Sequence, residues 1–287
     1  MKTLQEYYIY FVKEFPLRLQ NVIAFSQGMS EDLLDVLLRK NHSLTPPMSI
    51  RLKAGDYWSP RYYRGKGYSR FRFFLKFCRP KKNAHILEIG CGCGQMASQL
   101  LSFLSSDALY QGMDVNREEI NWCMNNIKPL RENFNFSVVD VFNKIYNPGG
   151  RVRAHRFRFP YKNSTFDFVI LLSVFTHMVP KDVENYVREI FRVLKKGGKC
   201  FLTFFLLNKY SLSSLSHKRT AIVFPTKYSD FRLLDPTNPE CAIAYNEDFI
   251  GEVLKRSGFK KRPFIHYGSW SSRKKTWDYQ DLLIGTK

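Results

Sequence analysis

The sequence predicts an α/β fold with a mostly parallel sheet and helices on both faces. Three observations carry that prediction. A short apolar strand, His85–Ile89, runs straight into a loop with glycine at positions 90, 92 and 94, and Met96, Leu100, Leu101 and Leu104 then recur at helical spacing. Strand and helix patterns alternate after it, as in βαβ units. The strand expected at Phe166–Leu172 carries a continuous apolar run from Phe168 to Leu172, as expected of a strand covered on both faces.

Residues 1 to 80 are predicted to form a helical N-terminal extension, and residues 81–287 the main domain. In the extension, Tyr8, Phe11, Val12 and Phe15 share one helical face, and Leu33, Leu34, Val36, Leu37 and Leu38 form a second apolar segment. Thr45-Pro46-Pro47 ends this region. From Arg51 to Lys82 basic and aromatic residues interleave, a mixture that suits stacking and phosphate neutralisation but also a solvated helix face with a buried aromatic side. In the main domain, strands are expected at 85–89, 109–115, 134–139, 166–172 and 200–206, with two closing strands near 262–268 and 279–285. Pro180 opens a helix with apolar face Val183, Tyr186, Val187, Ile190, Phe191 and Leu194, and Gly197-Gly198 is expected to terminate it. Asn246-Glu247-Asp248 is expected to cap a helix running to Gly258. The stretch 208–245 shows no period, and a connection that long suggests a cover over substrate.

Composition narrows the class. The 287-residue chain is 44% hydrophobic and 16% aromatic, which supports a filled core and argues against disorder. Its apolar runs are far shorter than a bilayer span, and the N-terminus has no signal-peptide pattern, so a cytoplasmic location is expected. The six cysteines, at 78, 91, 93, 123, 200 and 241, show neither a disulfide framework nor a metal-ligand spacing; Cys91 and Cys93 read as compact fillers between glycines. No acidic cluster suggests a metal either. The net charge of +20 predicts an anionic partner: an acidic small molecule or glycan, the inner face of a membrane, or nucleic acid.

The glycine spacing is GxGxG, with Glu88 two residues upstream and Gln95 where a dinucleotide-type loop would have its third glycine. Asp114 closes the second strand, beyond which ligands bind in open parallel sheets, and an acid there can accept both hydroxyls of a ribose. Asn116 is the better-placed cap for the following helix, which leaves Asp114 for that task. Asp140 and Val141 close the third strand, where a side chain and a backbone N–H can hold an adenine edge.

The run ILEIGCGCG, Asp114, Asp140-Val141, FDFVILLSVFTHM and VREIFRVLKKGGKCFLTFF together resemble a class I S-adenosylmethionine-dependent methyltransferase over residues 80–287. The resemblance implies a Rossmann-like seven-stranded sheet with the last strand antiparallel. It implies that Glu88, Gly90, Gly92 and Gly94 hold the methionine end of S-adenosyl-L-methionine, Asp114 the ribose, and Asp140 and Val141 the adenine, with Ser173 bordering the transferable methyl. No Asn/Asp-Pro-Pro-aromatic motif follows the fourth strand, and no Pro-Cys nucleophile is present. SVFTHM, Tyr146–Gly149, Gly268–Ser271 and Tyr279–Asp281 are instead similar to bacterial methyltransferases associated with cell-surface polysaccharide and glycolipid synthesis.

A sugar hydroxyl benefits from a base as the new bond forms, and His177, just past the fourth strand, is the candidate. Arg151, Arg153 and Arg156, in a dense basic segment that also holds His155 and Arg158, are candidates for contacting an anionic acceptor. The expected function is O-methylation of a sugar or other small acceptor, anionic and lipid-linked in one version. Methylation of RNA, and a non-catalytic scaffold with the same fold, are the alternatives. The sequence leaves the oligomeric state open.

Overall fold

The computed structural model describes residues 26, 28–30, 32–33, 44–55 and 57–287. The helical stripe expected at Tyr8–Phe15, and most of the one at Leu33–Leu38, lie outside the described residues. The chain divides into two compact units, 1–68 and 69–287, and the boundary falls inside helix α1 (Pro60–Cys78).

The first unit is organised around Arg51, which is fully buried. Its Nη1 and Nη2 each donate to an oxygen of Asp32 at 3.0 Å, and they donate again to the carbonyls of Pro46 and Trp58. Its Nε donates to the Tyr57 carbonyl at 3.1 Å. All five guanidinium hydrogens are thereby used, which is the condition under which a buried cation is tolerated.

The second unit is built on a seven-stranded sheet. Its strands are β1 (His85–Ile89), β2 (Leu109–Asp114), β3 (Phe134–Val138), β4 (Phe166–Leu171), β5 (Leu194–Phe204), β10 (Phe264–His266) and β11 (Asp281–Thr286). The spatial order is β10-β11-β5-β4-β1-β2-β3. β1 to β5 pair in parallel, while β11 pairs antiparallel with both β5 and β10. This is the Rossmann-like sheet expected, including the antiparallel last strand. Central strands β1 and β4 are buried almost end to end, which explains why apolar residues dominate them, with Glu88 and Asp167 as the acidic exceptions. The C-terminal half of α1 covers one face through Phe73 and Phe74, the latter 5.3 Å from Phe168 and 5.4 Å from Phe201 between ring centroids. Arg72 and Lys76 point outward beside Phe73 and Phe74, but Arg70 is buried and Tyr68 exposed, so the basic–aromatic mixture sorts only in part by helix face. No described helix is long and apolar enough to cross a membrane.

Helix α2 (Gln95–Leu100) follows β1, and α3 (Arg117–Asn126) follows β2. Asn116 caps α3 as expected, accepting from the N–H groups of Glu118 and Glu119. Helix α4 (Pro180–Val193) ends four residues before Gly197, so the glycine pair does not terminate it. Leu194 is already extended, and β5 pairs Leu194 with Phe166 before its register shifts and resumes at Lys199 against Phe168. Gly197, at φ +77°, and Gly198, where a Cβ would meet the Asp167 carbonyl at 3.0 Å, belong to this bulge.

The stretch 208–245 is not structureless. It contains α5 (Lys209–Ser216), capped reciprocally by Asn208 and Ser211, and three strands of a second sheet. That sheet has the order β6-β9-β8-β7, with β6 at Leu206–Leu207, β7 at Thr226–Lys227, β8 at Phe231–Leu233 and β9 at Ile243–Asn246. Its core gathers Phe205, Leu215, Phe224, Ala244 and Trp270. Asp281, at the start of β11, joins the two sheets: it accepts from the backbone N–H of Leu206 and Gly268 and from the Trp270 indole. Helix α6 (Glu247–Ser257) has Asn246 at its N-cap position but no side-chain cap, because the Asn246 amide donates to the Ser229 carbonyl instead. Glu247 and Asp248 still lie at the positive end of the helix dipole.

Candidate active site

The carboxyl ends of β1, β2, β4 and β5 converge on one edge of the sheet. There the loop after β1 takes left-handed backbone angles at Gly90, Gly92 and Gly94, at φ +70°, +53° and +78°. The Gly90 and Cys91 N–H groups both donate to the Met113 carbonyl, and Gly92 N–H donates to Asp114 Oδ2 at 2.8 Å. Asp114 Oδ1 accepts from Asn116 N–H at 2.9 Å. The loop is therefore fastened to the end of β2, and the Asp114 carboxylate keeps acceptor capacity for a ligand hydroxyl. Burial pushes the Asp114 carboxyl above its ordinary range, against the pull of the N–H donors of Asn116, Gly92 and Val115. Glycine here also answers to protein packing: a Cβ at Gly90 would stand 2.2 Å from Val174 Cγ2, and one at Gly94 2.3 Å from Ile127 Cδ1. Cys91 and Cys93 are buried, and burial raises the Cys91 thiol well above its normal value.

Glu88 stands at the same edge but faces inward, 3% exposed, accepting from the Tyr110 hydroxyl. Burial pushes its carboxyl up to about 8. Arg70, unremarkable among the many arginines of its segment, reaches this region from α1. Its Nε donates to Asp278 Oδ2 at 2.8 Å and its Nη1 to Gln95 Oε1 at 3.1 Å. Nothing in the sequence pointed to it, because its partners lie 25 and 208 positions away.

Asp140 is half-exposed and is engaged by Arg151, whose N–H and Nε both donate to its carboxylate. That guanidinium holds Asp140 below the usual carboxylate range. Arg151 thus folds back onto Asp140, whereas Arg153 stacks on Phe142 at 4.0 Å and Arg156 is exposed. Val141 is buried and pairs with Val152.

Ser173, just beyond β4, is held at φ +58° by two contacts the sequence did not announce. Its N–H donates to Thr203 Oγ1 at 2.7 Å, and its hydroxyl donates to Gln280 Oε1 at 3.0 Å. Four residues on, His177 Nδ1 lies 2.9 Å from the Glu240 carbonyl. A carbonyl only accepts, so Nδ1 carries the hydrogen and Nε2 keeps the lone pair. The Tyr146 hydroxyl sits 3.4 Å from Nε2. Burial lowers the His177 pKa from its ordinary 6.5, so the ring is neutral at physiological pH. Glu240 belongs to the second sheet's connecting turn and accepts from Lys144 N–H, which fastens that turn over the loop after β3. Asp114, Ser173 and His177 thus share one sheet edge with the glycine loop. Among the described residues, no group of three or more His, Cys, Asp or Glu side chains is placed to hold a metal ion.

The residues present fit S-adenosylmethionine. A pinned glycine loop, an acid with open lone pairs at the end of β2 and a backbone turn after β3 supply surfaces for the three parts of that molecule. Comparison with known proteins agrees. Residues 87–202 match the Methyltransf_11 family, described as a methyltransferase domain. Norajmaline N-methyltransferase of Rauvolfia serpentina is 26% identical over 140 residues, 48% of this chain and 41% of that protein; the match thus spans under half of the relative's length. A crystal structure of a protein from Pyrococcus horikoshii superposes with a TM-score of 0.53 at 18% identity, covering 78% of this chain and 90% of that one. A candidate O-methyltransferase from Nostoc punctiforme gives 0.52 at 14% identity, over 92% of this chain and 69% of that one. At these identities the two structures attest the fold. The match of residues 87–202 to a methyltransferase domain, with the geometry of the loop after β1 and the end of β2, supports S-adenosylmethionine as the cofactor.

Proposed function

We propose that the chain methylates a hydroxyl of a small, anionic acceptor of the sugar class, which enters beside Tyr146 and His177. The observation that carries this reading is the fixed His177 tautomer. With Nδ1–H committed to the Glu240 carbonyl, Nε2 is the only ring nitrogen able to take a proton, and a hydroxyl already stands beside it. An acceptor hydroxyl replacing that of Tyr146 would give its proton to Nε2 as its oxygen forms the new bond. The bound donor supplies an electrophilic methyl on a sulfonium. The chain's own task is alignment: Ser173, held by Thr203 and Gln280, borders the reacting centre, and the turn carrying Glu240 covers it. Arg153 and Arg156 lie on the adjoining segment and supply positive charge for an anionic group on the acceptor.

The resemblance of SVFTHM and the Tyr146–Gly149 segment to enzymes of polysaccharide and glycolipid synthesis supports a glycan or lipid-linked acceptor. The Rauvolfia relative acts on nitrogen, so amine acceptors form the second arm of the test. The deciding experiment is methyl transfer from labelled donor into fractionated glycans, lipids and RNA from cells. Label in the glycan or lipid fraction is expected. Label confined to RNA would overturn the acceptor class, and failure to bind the donor at all would leave a non-catalytic scaffold.

A further inference from the structure

β10 is the outer strand of the main sheet, and its first residue, Phe264, is 46% exposed. Its ring stacks on Phe77 of α1 at 5.0 Å and 23°, and Phe77 stacks in turn on Phe73 at 4.3 Å and 29°. Trp277 meets Phe77 edge-on, and the Lys76 ammonium lies 4.9 Å from the Trp277 ring. These contacts bring together two stretches, 69–87 and 253–277, that contain no Asp or Glu. Lys260, Lys261 and Arg262 lead directly into β10, Lys274 and Lys275 lead into Trp277, and all five are exposed. None of them is ion-paired to a carboxylate among the described residues.

We propose that this edge docks the protein onto an anionic lipid surface. The combination is that of an interfacial anchor: a projecting aromatic ring to enter the headgroup region, an adjoining Trp, and unpaired cations around them to meet lipid phosphates. A chain of net charge +20 that collects unopposed cations around apolar rings has both halves of that interaction on one edge. Nucleic acid is the other anionic partner in reach, but it needs open ring faces on which bases stack. Here Phe77 is stacked against both Phe73 and Phe264, so the rings are largely spent on one another and Phe264 alone projects, which is less than the row of open ring faces that successive bases need. Docking does not depend on the methyl acceptor and is measured without it.

The test is flotation of the full chain with vesicles of phosphatidylcholine alone, or mixed with phosphatidylglycerol. Binding to the mixed vesicles and not to the neutral ones is expected. At roughly one kilocalorie per mole for each surface cation, reversing three charges in Lys260→Glu/Lys261→Glu/Arg262→Glu should weaken partitioning by about a hundredfold or more. The charge-matched control Arg158→Glu/Lys162→Glu/Lys181→Glu, with its exposed cations elsewhere, should lose no more than about tenfold from the change in net charge. Phe264→Ser should remove the part of the binding that survives high salt, with thermal melts confirming that each variant is folded. Equal binding to neutral and anionic vesicles would overturn the proposal, as would equal losses in the two triple variants. It would equally fall if the Lys260–Arg262 variant lost affinity for structured RNA while the unaltered protein ignored both vesicles.

Discussion

Asp114 shows how one side chain prepares a site. It holds the glycine loop through Gly92 and begins α3 through Asn116, so a ligand meets an acid already oriented. Asp114→Ala removes that acceptor, and with about 1.5–3 kcal/mol for each hydrogen bond to a charged group, donor affinity measured by calorimetry should fall at least about a hundredfold. Unchanged affinity would refute the assignment. His177→Gln should lower turnover by about 10²–10⁴-fold while donor affinity holds. The folded pKa of His177 lies below 6.5, so its neutral form, and the stability it contributes, is complete above pH 6.5 and is lost as pH falls through the folded value. The rate profile should accordingly rise with pH on an acid limb centred below 6.5 and level off above it, and a profile with no acid limb would remove His177 as the base. Glu88 runs the other way. Its folded pKa is raised from 4.5 to about 8, so the folded state keeps a proton that the unfolded chain releases, and stability falls as pH rises across that window. In the absence of donor, Glu88→Gln should flatten that fall in melting temperature; an unaltered slope would show that Glu88 is not its source.

At the scale of elements, the join between the two sheets rests on Asp281. Removing the carboxylate strands three buried donors, from Leu206, Gly268 and Trp270, so Asp281→Ala should cost about 3–5 kcal/mol in urea unfolding. A loss under about 1 kcal/mol would mean that water replaces the carboxylate. The same region shows why part of the fold was legible in sequence and part was not. β1 and β4 are buried on both faces and announce themselves as apolar runs, and Asn116 announces its helix by local capping chemistry. The second sheet has strands of two to four residues, too short to hold a period, and its order is imposed by contacts with Trp270 and Asp281 far along the chain. Gly197-Gly198 misled for a related reason: a glycine pair marks a backbone irregularity, and only the pairing of β5 with β4 decides that it is a bulge rather than a helix end. In the candidate site, Asp114 and His177 could be singled out by strand-end position. Arg70 could not, and Gln280 and Tyr146 stood out only as parts of resembling segments, because each acquires its place beside Gln95, Ser173 or His177 only through tertiary contact.

Across the whole molecule, the sheet edge sets the loop after β1 and the loop after β4 against each other, the proposed donor side and acceptor side. Gly90 belongs to the first and Val174 to the second, and they touch so closely that even a methyl group on Gly90 has no room. The two loops are therefore expected to shift together and their ligands to feel one another. Donor binding should change acceptor affinity by some factor, and acceptor binding must change donor affinity by the same factor, since the coupling is reciprocal. Gly90→Ala, strained at φ +70° and pressing on Val174, should then raise the KM for the acceptor although the substitution lies in the donor's own loop. A donor-only defect would show that the loops move independently. If they move as one, the protein reads its two substrates cooperatively, and the spent donor, by leaving, loosens the grip on the methylated product.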